Sequence, residues 1–193
     1  MNSFDEYLHE VYGTAESINA YDMAIIYNAI AGLAGRLFIC GNGGSAASAD
    51  HWVCDYMKGI NEDVMQFPSA KAISLASNGP LVTAIANDFG YKYIFSKQLD
   101  YYKPSEQDLV LTLSVSGNSE NVVEALYHCR NNGIRSIALT GNDGGKAGEL
   151  ATYHVNVPSN NYGVVEDIHM MILHYISQRI RYNGAYEGKK LKL

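Results

Sequence analysis

The stretch Leu37-Phe38-Ile39-Cys40-Gly41-Asn42-Gly43-Gly44-Ser45-Ala46-Ala47-Ser48-Ala49-Asp50-His51 constrains this chain more than any other. Four apolar residues read as a buried strand, Gly41-Asn42-Gly43-Gly44 as a sharp turn, and Ser45 as the mouth of an alanine-rich helix. Glycine loses more conformational freedom on ordering than any other residue. Three of them between a strand and a helix therefore mark a backbone that must approach something closely. An anion suits the place, because a helix N-terminus offers unpaired N–H groups and a partial positive charge. An ordinary tight connection reads equally well from this stretch taken alone.

The flanking sequence extends the pattern. Ser3 followed by Glu6 is a capping box that starts a helix near residue 4, which Gly13 is expected to break or bend. Ile18, Tyr21, Ile25, Ile26, Ala29, Ile30 and Leu33 recur at three- and four-residue steps and predict a second helix. Both precede the first strand, so their apolar faces serve either another subunit or the monomer core. From residue 37 the chain alternates. Strands are predicted at 37–40, 72–75, 109–114, 136–140 and 153–157, and helices at 45–58, 81–87, 91–101, 120–131, 146–151 and 163–182. Alternation of this kind gives right-handed crossovers and a parallel sheet covered on both faces, with ligands at the carboxyl ends of the strands. The 193 residues fit a single domain: a helical segment over 1–35, an α/β core over 36–182 and a polar tail over 183–193.

Composition excludes several classes. A net charge of −6 without a basic cluster before the last few residues argues against nucleic-acid binding. No run of about 18 apolar residues exists to span a membrane. Three cysteines (Cys40, Cys54, Cys129) without a Cys-x-x-Cys pair, behind an N-terminus unlike a signal peptide, predict a reduced protein of the cytoplasm.

A second small-residue loop, Leu113-Ser114-Val115-Ser116-Gly117-Asn118-Ser119, offers three hydroxyls and a helix start. Hydroxyl donors and a helix terminus can hold a phosphate dianion without Lys or Arg. Two such loops in one chain favour a ligand over two coincidental turns. Neither matches G-x-x-x-x-G-K-[ST] or G-x-G-x-x-G, so no nucleoside triphosphate or dinucleotide is expected. His51 and Asp55, four apart, share one face of the first core helix. Glu166, Asp167, His169 and His174 lie on the last helix, where Glu166 and His174 are about 80° apart around the axis and Asp167 and His174 nearly aligned. Histidines and carboxylates converging from two helices could bind Zn²⁺ or exchange protons, although any one of them alone reads better as a surface or core group.

These residues together resemble the sugar isomerase (SIS) family, and within it the phosphoheptose isomerases. The resemblance rests on Cys40-Gly41-Asn42-Gly43-Gly44-Ser45-Ala46-Ala47, Asn87-Asp88-Phe89-Gly90, Ser116-Gly117-Asn118-Ser119, Leu139-Thr140-Gly141 with Asp143-Gly144-Gly145, and Glu166-Asp167-Ile168-His169 with His174. It implies a flavodoxin-like, three-layer αβα sandwich with a five-stranded parallel sheet. It also implies N-terminal helices used for oligomerisation and a homotetramer with sites at subunit interfaces. The implied reaction converts sedoheptulose 7-phosphate to a heptose 7-phosphate through an enediol. By position, Ser45, Ser114, Ser116 and Ser119 would hold the phosphate, with Asn42, Gly43, Asp88 and Glu166 along the sugar. Asp55, Glu166 and His174 would move protons, and His51, Asp55, Glu166 and His174 would hold Zn²⁺.

The sequence departs from that family in three places. Asp55 stands where the family has glutamate, Glu166 where it has glutamine, and Gly163-Val164 where an Asp-Arg pair is common. Asp55 is one methylene shorter, so either the substrate differs or Glu166 takes over as base. The alternative is a SIS protein that binds a phosphosugar or a protein partner without catalysis, as in the family branch that binds a replication initiator.

Overall fold

The computed structural model describes residues 3–60 and 71–185. Its centre is a parallel sheet of five strands: β1 (Arg36–Gly41), β2 (Lys71–Ser74), β3 (Leu109–Ser114), β4 (Arg135–Thr140) and β5 (Tyr153–Asn156), in the order β2-β1-β3-β4-β5. Register is set by the pleat, which sends alternate residues to opposite faces. Leu37, Ile39, Leu111, Leu113, Ile137 and Leu139 face one hydrophobic core, while Phe38, Cys40, Val110 and Ala138 face the other.

The first core is closed by α2 (Ala20–Ala31), α3 (Gly44–Cys54) and α8 (Tyr162–Ala185), with α1 (Phe4–Glu16) lying along α8. The second is closed by α4 (Gly79–Phe89), α5 (Ser96–Tyr102), α6 (Glu120–Asn131) and α7 (Gly145–Leu150). The expected αβα sandwich is therefore present, with the N-terminal helices packed on the sheet side that carries α3 and α8.

Three local expectations are corrected. The first helix runs straight through Gly13, because Tyr7, Val11 and Ala15 pack on the core from either side of it. That burial outweighs the ~1 kcal/mol that a mid-helix glycine costs. The helix expected over 45–58 ends at Cys54, and Asp55–Ile60 continues as a wider π-helical turn. The helix expected over 91–101 is a 3₁₀ turn (Tyr91–Tyr93) followed by α5, since Ile94 and Phe95 turn inward to fill the second core. Of the polar tail expected over 183–193, residues 183–185 continue α8, and the rest lies outside the described residues.

One contact fixes α3 against α8. Trp52, wholly buried, donates its indole N–H to Leu173 O at 2.8 Å and to Ser177 Oγ at 3.1 Å. A buried indole without such a partner would be costly. The bond therefore locks one helix face to the other, one residue away from both His51 and His174.

Candidate active site

Gly41 of β1 pairs with Leu113 of β3, so the loops that follow these strands emerge side by side. This is also where the strand order reverses, the usual crevice for a ligand in an open parallel sheet. In the first loop Gly43 has φ +54°, and among the described residues nothing stands within 4 Å of where its Cβ would be. The glycine serves the backbone turn and leaves the space above it open. Gly44 is required for a different reason. A Cβ there would lie 2.5 Å from both carboxylate oxygens of Glu166, which reaches down from α8 onto the first turn of α3. A carboxylate at that end of a helix is favoured by the helix dipole.

Asn42 is held on three sides. Its Nδ2 donates to Asn121 Oδ1 at 2.8 Å, and its Oδ1 accepts from Asn121 Nδ2 at 2.8 Å and from the Tyr91 hydroxyl at 3.0 Å. Ser45 is buried against Gly41. Asp88 lies exposed in the last turn of α4, accepting a bond from Asn87 Nδ2 at 2.9 Å, three residues before Tyr91.

The second loop is braced from behind. Gly144 O occupies the space a Gly117 Cβ would need, Ala147 N–H donates to Gly117 O at 2.8 Å, and Lys146 N–H donates to Asn118 Oδ1 at 3.0 Å. The Ser116 hydroxyl accepts from Asn118 N–H at 3.1 Å. Ser119 takes the extended N-cap conformation of α6, yet among the described residues its hydroxyl caps no N–H of that helix. It lies instead 3.3 Å from the Ser114 hydroxyl. Two hydroxyls and a helix start thus converge on a rigid support.

His51 near the end of α3, Asp55 at the start of the π turn and His174 on α8 meet at the far end of the helix that follows the first loop. His51 Nε2 and His174 Nε2 are 3.1 Å apart, and Asp55 Oδ2 is 3.4 Å from each. Around a tetrahedral Zn²⁺ with bonds near 2.1 Å, neighbouring donor atoms sit about 3.4 Å apart, so the three separations and the His/His/Asp chemistry fit a metal centre. The widened turn that begins at Asp55 is the kind of helix irregularity that concentrates at functional sites. The described residues give Glu166 no place among the three donors: its carboxylate goes to Gly44 instead.

The neighbours on α8 have other tasks. Asp167 accepts the Tyr7 hydroxyl at 2.6 Å, and that bond, with burial, pushes the phenol up to about 12. His169 is buried and donates Nε2–H to Thr140 O at 3.1 Å, while its Nδ1 faces no partner among the described residues. Burial outweighs that hydrogen bond and pushes its pKa down to about 4, so the ring is neutral.

The SIS domain family matches residues 1–141. The phosphoheptose isomerase of Aromatoleum aromaticum is 38% identical over 149 residues, which are 76% of this chain and 73% of that protein. The chain belongs to the SIS domain family. The phosphoheptose isomerase of Aliarcobacter butzleri is likewise 38% identical, over 145 residues and 75% of each chain. In three dimensions this SIS domain matches a phosphoheptose isomerase from Neisseria gonorrhoeae with a TM-score of 0.82, covering 92% of this chain and 96% of that one at 28% identity.

Two residues of the site escape the sequence reading, Asn121 and Tyr91, which grip Asn42, while Asn118 is legible there as part of the second loop but not as its tie to Lys146. Of the two, only Asn121 leaves a trace in the sequence, as a buried-type amide in the first turn of a helix where an acid or a small cap is commoner.

Proposed function

We propose that this SIS domain isomerises a phosphorylated ketose, sedoheptulose 7-phosphate, to D-glycero-D-manno-heptose 7-phosphate or a related heptose 7-phosphate. The observation that carries the reading is the meeting of His51, Asp55 and His174 at the far end of the helix that opens on the first serine-bearing loop, with Glu166, on α8 like His174, lying over that loop, at the strand-order reversal. Ser45, Ser114, Ser116 and Ser119 take the phosphate, and Asn42, Gly43 and Asp88 line the sugar.

Ketose-to-aldose conversion moves one proton from C1 to C2 and one from O1 to O2 through an enediol. A carboxylate must take and return the carbon-bound proton, and a donor must serve the oxygens. Asp55 is shared between two imidazoles at 3.4 Å, which leaves Glu166, over the open Gly43-Gly44 turn, as the base. His174 serves the oxygens. His51, Asp55 and His174 would hold Zn²⁺, which when bound supplies Lewis-acid polarisation of the substrate oxygen. Where the family has an Asp-Arg pair, Gly163 and Val164 offer the sugar hydroxyls no polar side chain. Val164 is committed to the core, and Gly163 lies 3.4 Å, measured from an added Cβ, from the Tyr7 hydroxyl.

Within the same reading the chain is a cytoplasmic homotetramer with sites at subunit interfaces. Support comes from the free cysteines and from an apolar groove of about 450 Å³ between the α1–α2 junction and α8, lined by Ile18, Met23, Met171 and Tyr175. Among the described residues no helix is long and apolar enough to cross a membrane.

The test is incubation with sedoheptulose 7-phosphate, with and without Zn²⁺ and a chelator, followed by NMR of the sugar. Glu166→Gln is expected to abolish turnover, and Asp55→Glu combined with Glu166→Gln to restore part of it by lengthening the other carboxylate. A parent protein that isomerises no ketose phosphate, while capturing a protein partner, would establish a binding role instead.

A further inference from the structure

Asn42 has two donors and one acceptor with two lone pairs, and which end faces the crevice decides what it can recognise. The surrounding bonds settle that polarity. Val122 N–H, which can only donate, is shared between Ser119 O and Asn121 Oδ1, both at 3.0 Å; an amide NH₂ turned to that place would meet it donor to donor, so the atom there is an oxygen. Asn42 must then present Nδ2 to that oxygen at 2.8 Å, and Asn121 Nδ2 must donate back to Asn42 Oδ1 at 2.8 Å. With Asn42 Oδ1 fixed as acceptor, the Tyr91 hydroxyl has to donate to it, at 3.0 Å. Both lone pairs of that oxygen are now used. Among the described residues one N–H of Asn42 is left without a partner, on the residue that precedes the open Gly43 turn.

We infer that Tyr91 and Asn121 are positioning residues that hold Asn42 as an obligate hydrogen-bond donor to a sugar oxygen, and so give the site its selectivity for a sugar phosphate over phosphate alone. The inference rests on the proposed isomerase reading and deepens it. The network joins three separate parts of the site: the β1–α3 loop, the first turn of α6 behind the second serine loop, and the 3₁₀ turn that follows Asp88. Asn121 is fully buried, as a part that sets geometry should be, whereas Tyr91 is 58% exposed and approaches from outside. A donor at that place stays useful throughout the reaction, because the sugar oxygens are acceptors in substrate, enediol and product alike. The effect falls on binding more than on the chemical step.

The polarity argument gives a test that packing cannot imitate. Asn121→Asp keeps size and shape and places a carboxylate in the first turn of α6, where the helix dipole favours it. Yet it sets two oxygens face to face with Asn42 whichever way that amide turns, and the pair opens. Asn121→Ala removes the partner but opposes nothing. We expect KM for sedoheptulose 7-phosphate to rise about fivefold in Tyr91→Phe, the value of one ordinary hydrogen bond. For Asn121→Ala we expect a rise of about tenfold, and for Asn121→Asp about thirtyfold or more, with kcat changed far less. In thermal-shift titrations, stabilisation by inorganic phosphate should survive in all three variants while the extra stabilisation by the sugar phosphate shrinks in the same order.

The order Asp milder than Ala, which a packing role dictates, would overturn the inference, as would equal loss of both ligand responses or parental KM values throughout. A parent that binds the sugar phosphate more tightly than phosphate but does not turn it over overturns the isomerase reading alone. A parent with no sugar-dependent increment overturns both.

Discussion

At the amino edge of the sheet, Arg36 and Asp108 form a closed account of charge. Asp108 accepts the backbone N–H of Arg36 at 2.5 Å, its guanidinium at 2.9 Å and Ser105 N–H at 2.7 Å, and the same guanidinium reaches the carbonyls of Tyr102 and Lys103. At the carboxyl edge, two imidazoles and a carboxylate crowd together, glycines turn through positive φ, and the Ser119 hydroxyl leaves its helix uncapped. The ion pair of the first edge is satisfied by the chain itself, and the second edge holds several groups in reserve. The contrast teaches that this fold gathers its crowded titratable groups and its unused hydroxyl at the end where ligands bind, while the amino edge, left-handed Lys103 (φ +48°) included, is tied together by a hydrogen-bonded ion pair.

The largest effect that could break this contrast is on turnover. Asp55→Ala, which takes a donor from the candidate metal centre, or His174→Ala, which also removes the group serving the oxygens, should lower kcat/KM for sedoheptulose 7-phosphate by about 10³. Neither should move the thermal midpoint by more than a few degrees, because both side chains are part-exposed. Steady-state kinetics beside a melting curve checks both halves, and a variant at the parental rate would sink the site assignment.

Asp108→Ala is the mirror image. Removing one partner of a largely buried ion pair leaves Arg36 and the N–H groups of Arg36 and Ser105 without their acceptor. The expected cost is about 3 kcal/mol, somewhat under the usual figure since Arg36 keeps contact with water. For a chain of this size that is a midpoint shift of about 6–12 °C, with kcat retained. A stable but inactive variant would show that the two edges are not separable.

Acid should separate the edges by pH. The His169 pKa is depressed to about 4 in the folded chain. Its unfolded value is about 6.5, so below that pH the unfolded state binds a proton that the folded state refuses. Stability is complete above about 6.5 and falls by up to about 3 kcal/mol as the pH drops toward 4. Asp108 acts later. Burial would raise its pKa, but the Arg36 side chain and the N–H groups of Arg36 and Ser105 outweigh that and hold it below the usual carboxylate value. Its contribution therefore persists until the pH falls beneath about 4 and is lost as the pH passes through the native value. Denaturant titrations at stepped pH should show the two windows in that order, and His169→Met should flatten the first while leaving the second.

The same division explains what could be read from the residues in advance. Strand β3 and helix α6 begin and end where their apolar pattern and punctuation place them, because β3 is buried along its whole length and the small-residue loop after it both ends the strand and opens the helix. The π turn at Asp55 is invisible in sequence; it follows directly on the part of α3 that Trp52 ties to α8, a contact between residues 121 positions apart. The 80° offset between Glu166 and His174 did hold a warning: two residues so placed do not readily reach one point, and Glu166 goes to Gly44. The Asn42–Asn121–Tyr91 bonds were out of reach for the same reason, as they span 79 and 49 positions. Local pattern specifies elements, whereas the site is assembled from the contacts between them.

The smallest expected effect is the finest comparison, between two serine N-caps. Ser3 accepts Glu6 N–H at 3.2 Å and does the ordinary work of a cap, so Ser3→Ala should cost about 0.5–1 kcal/mol and leave phosphate binding alone. Ser119 is also an extended N-cap, at φ −61° against −146° for Ser3, but its hydroxyl lies against Ser114, so among the described residues Ser119→Ala loses no cap. Its apo midpoint should stay within about a degree of the parent, while its affinity for inorganic phosphate falls about fivefold, one hydrogen bond's worth. Thermal-shift titration with phosphate reads both quantities in one experiment. A Ser119→Ala protein that melts early yet responds to phosphate like the parent would make this hydroxyl a structural cap, and the second loop would lose its claim to the anion.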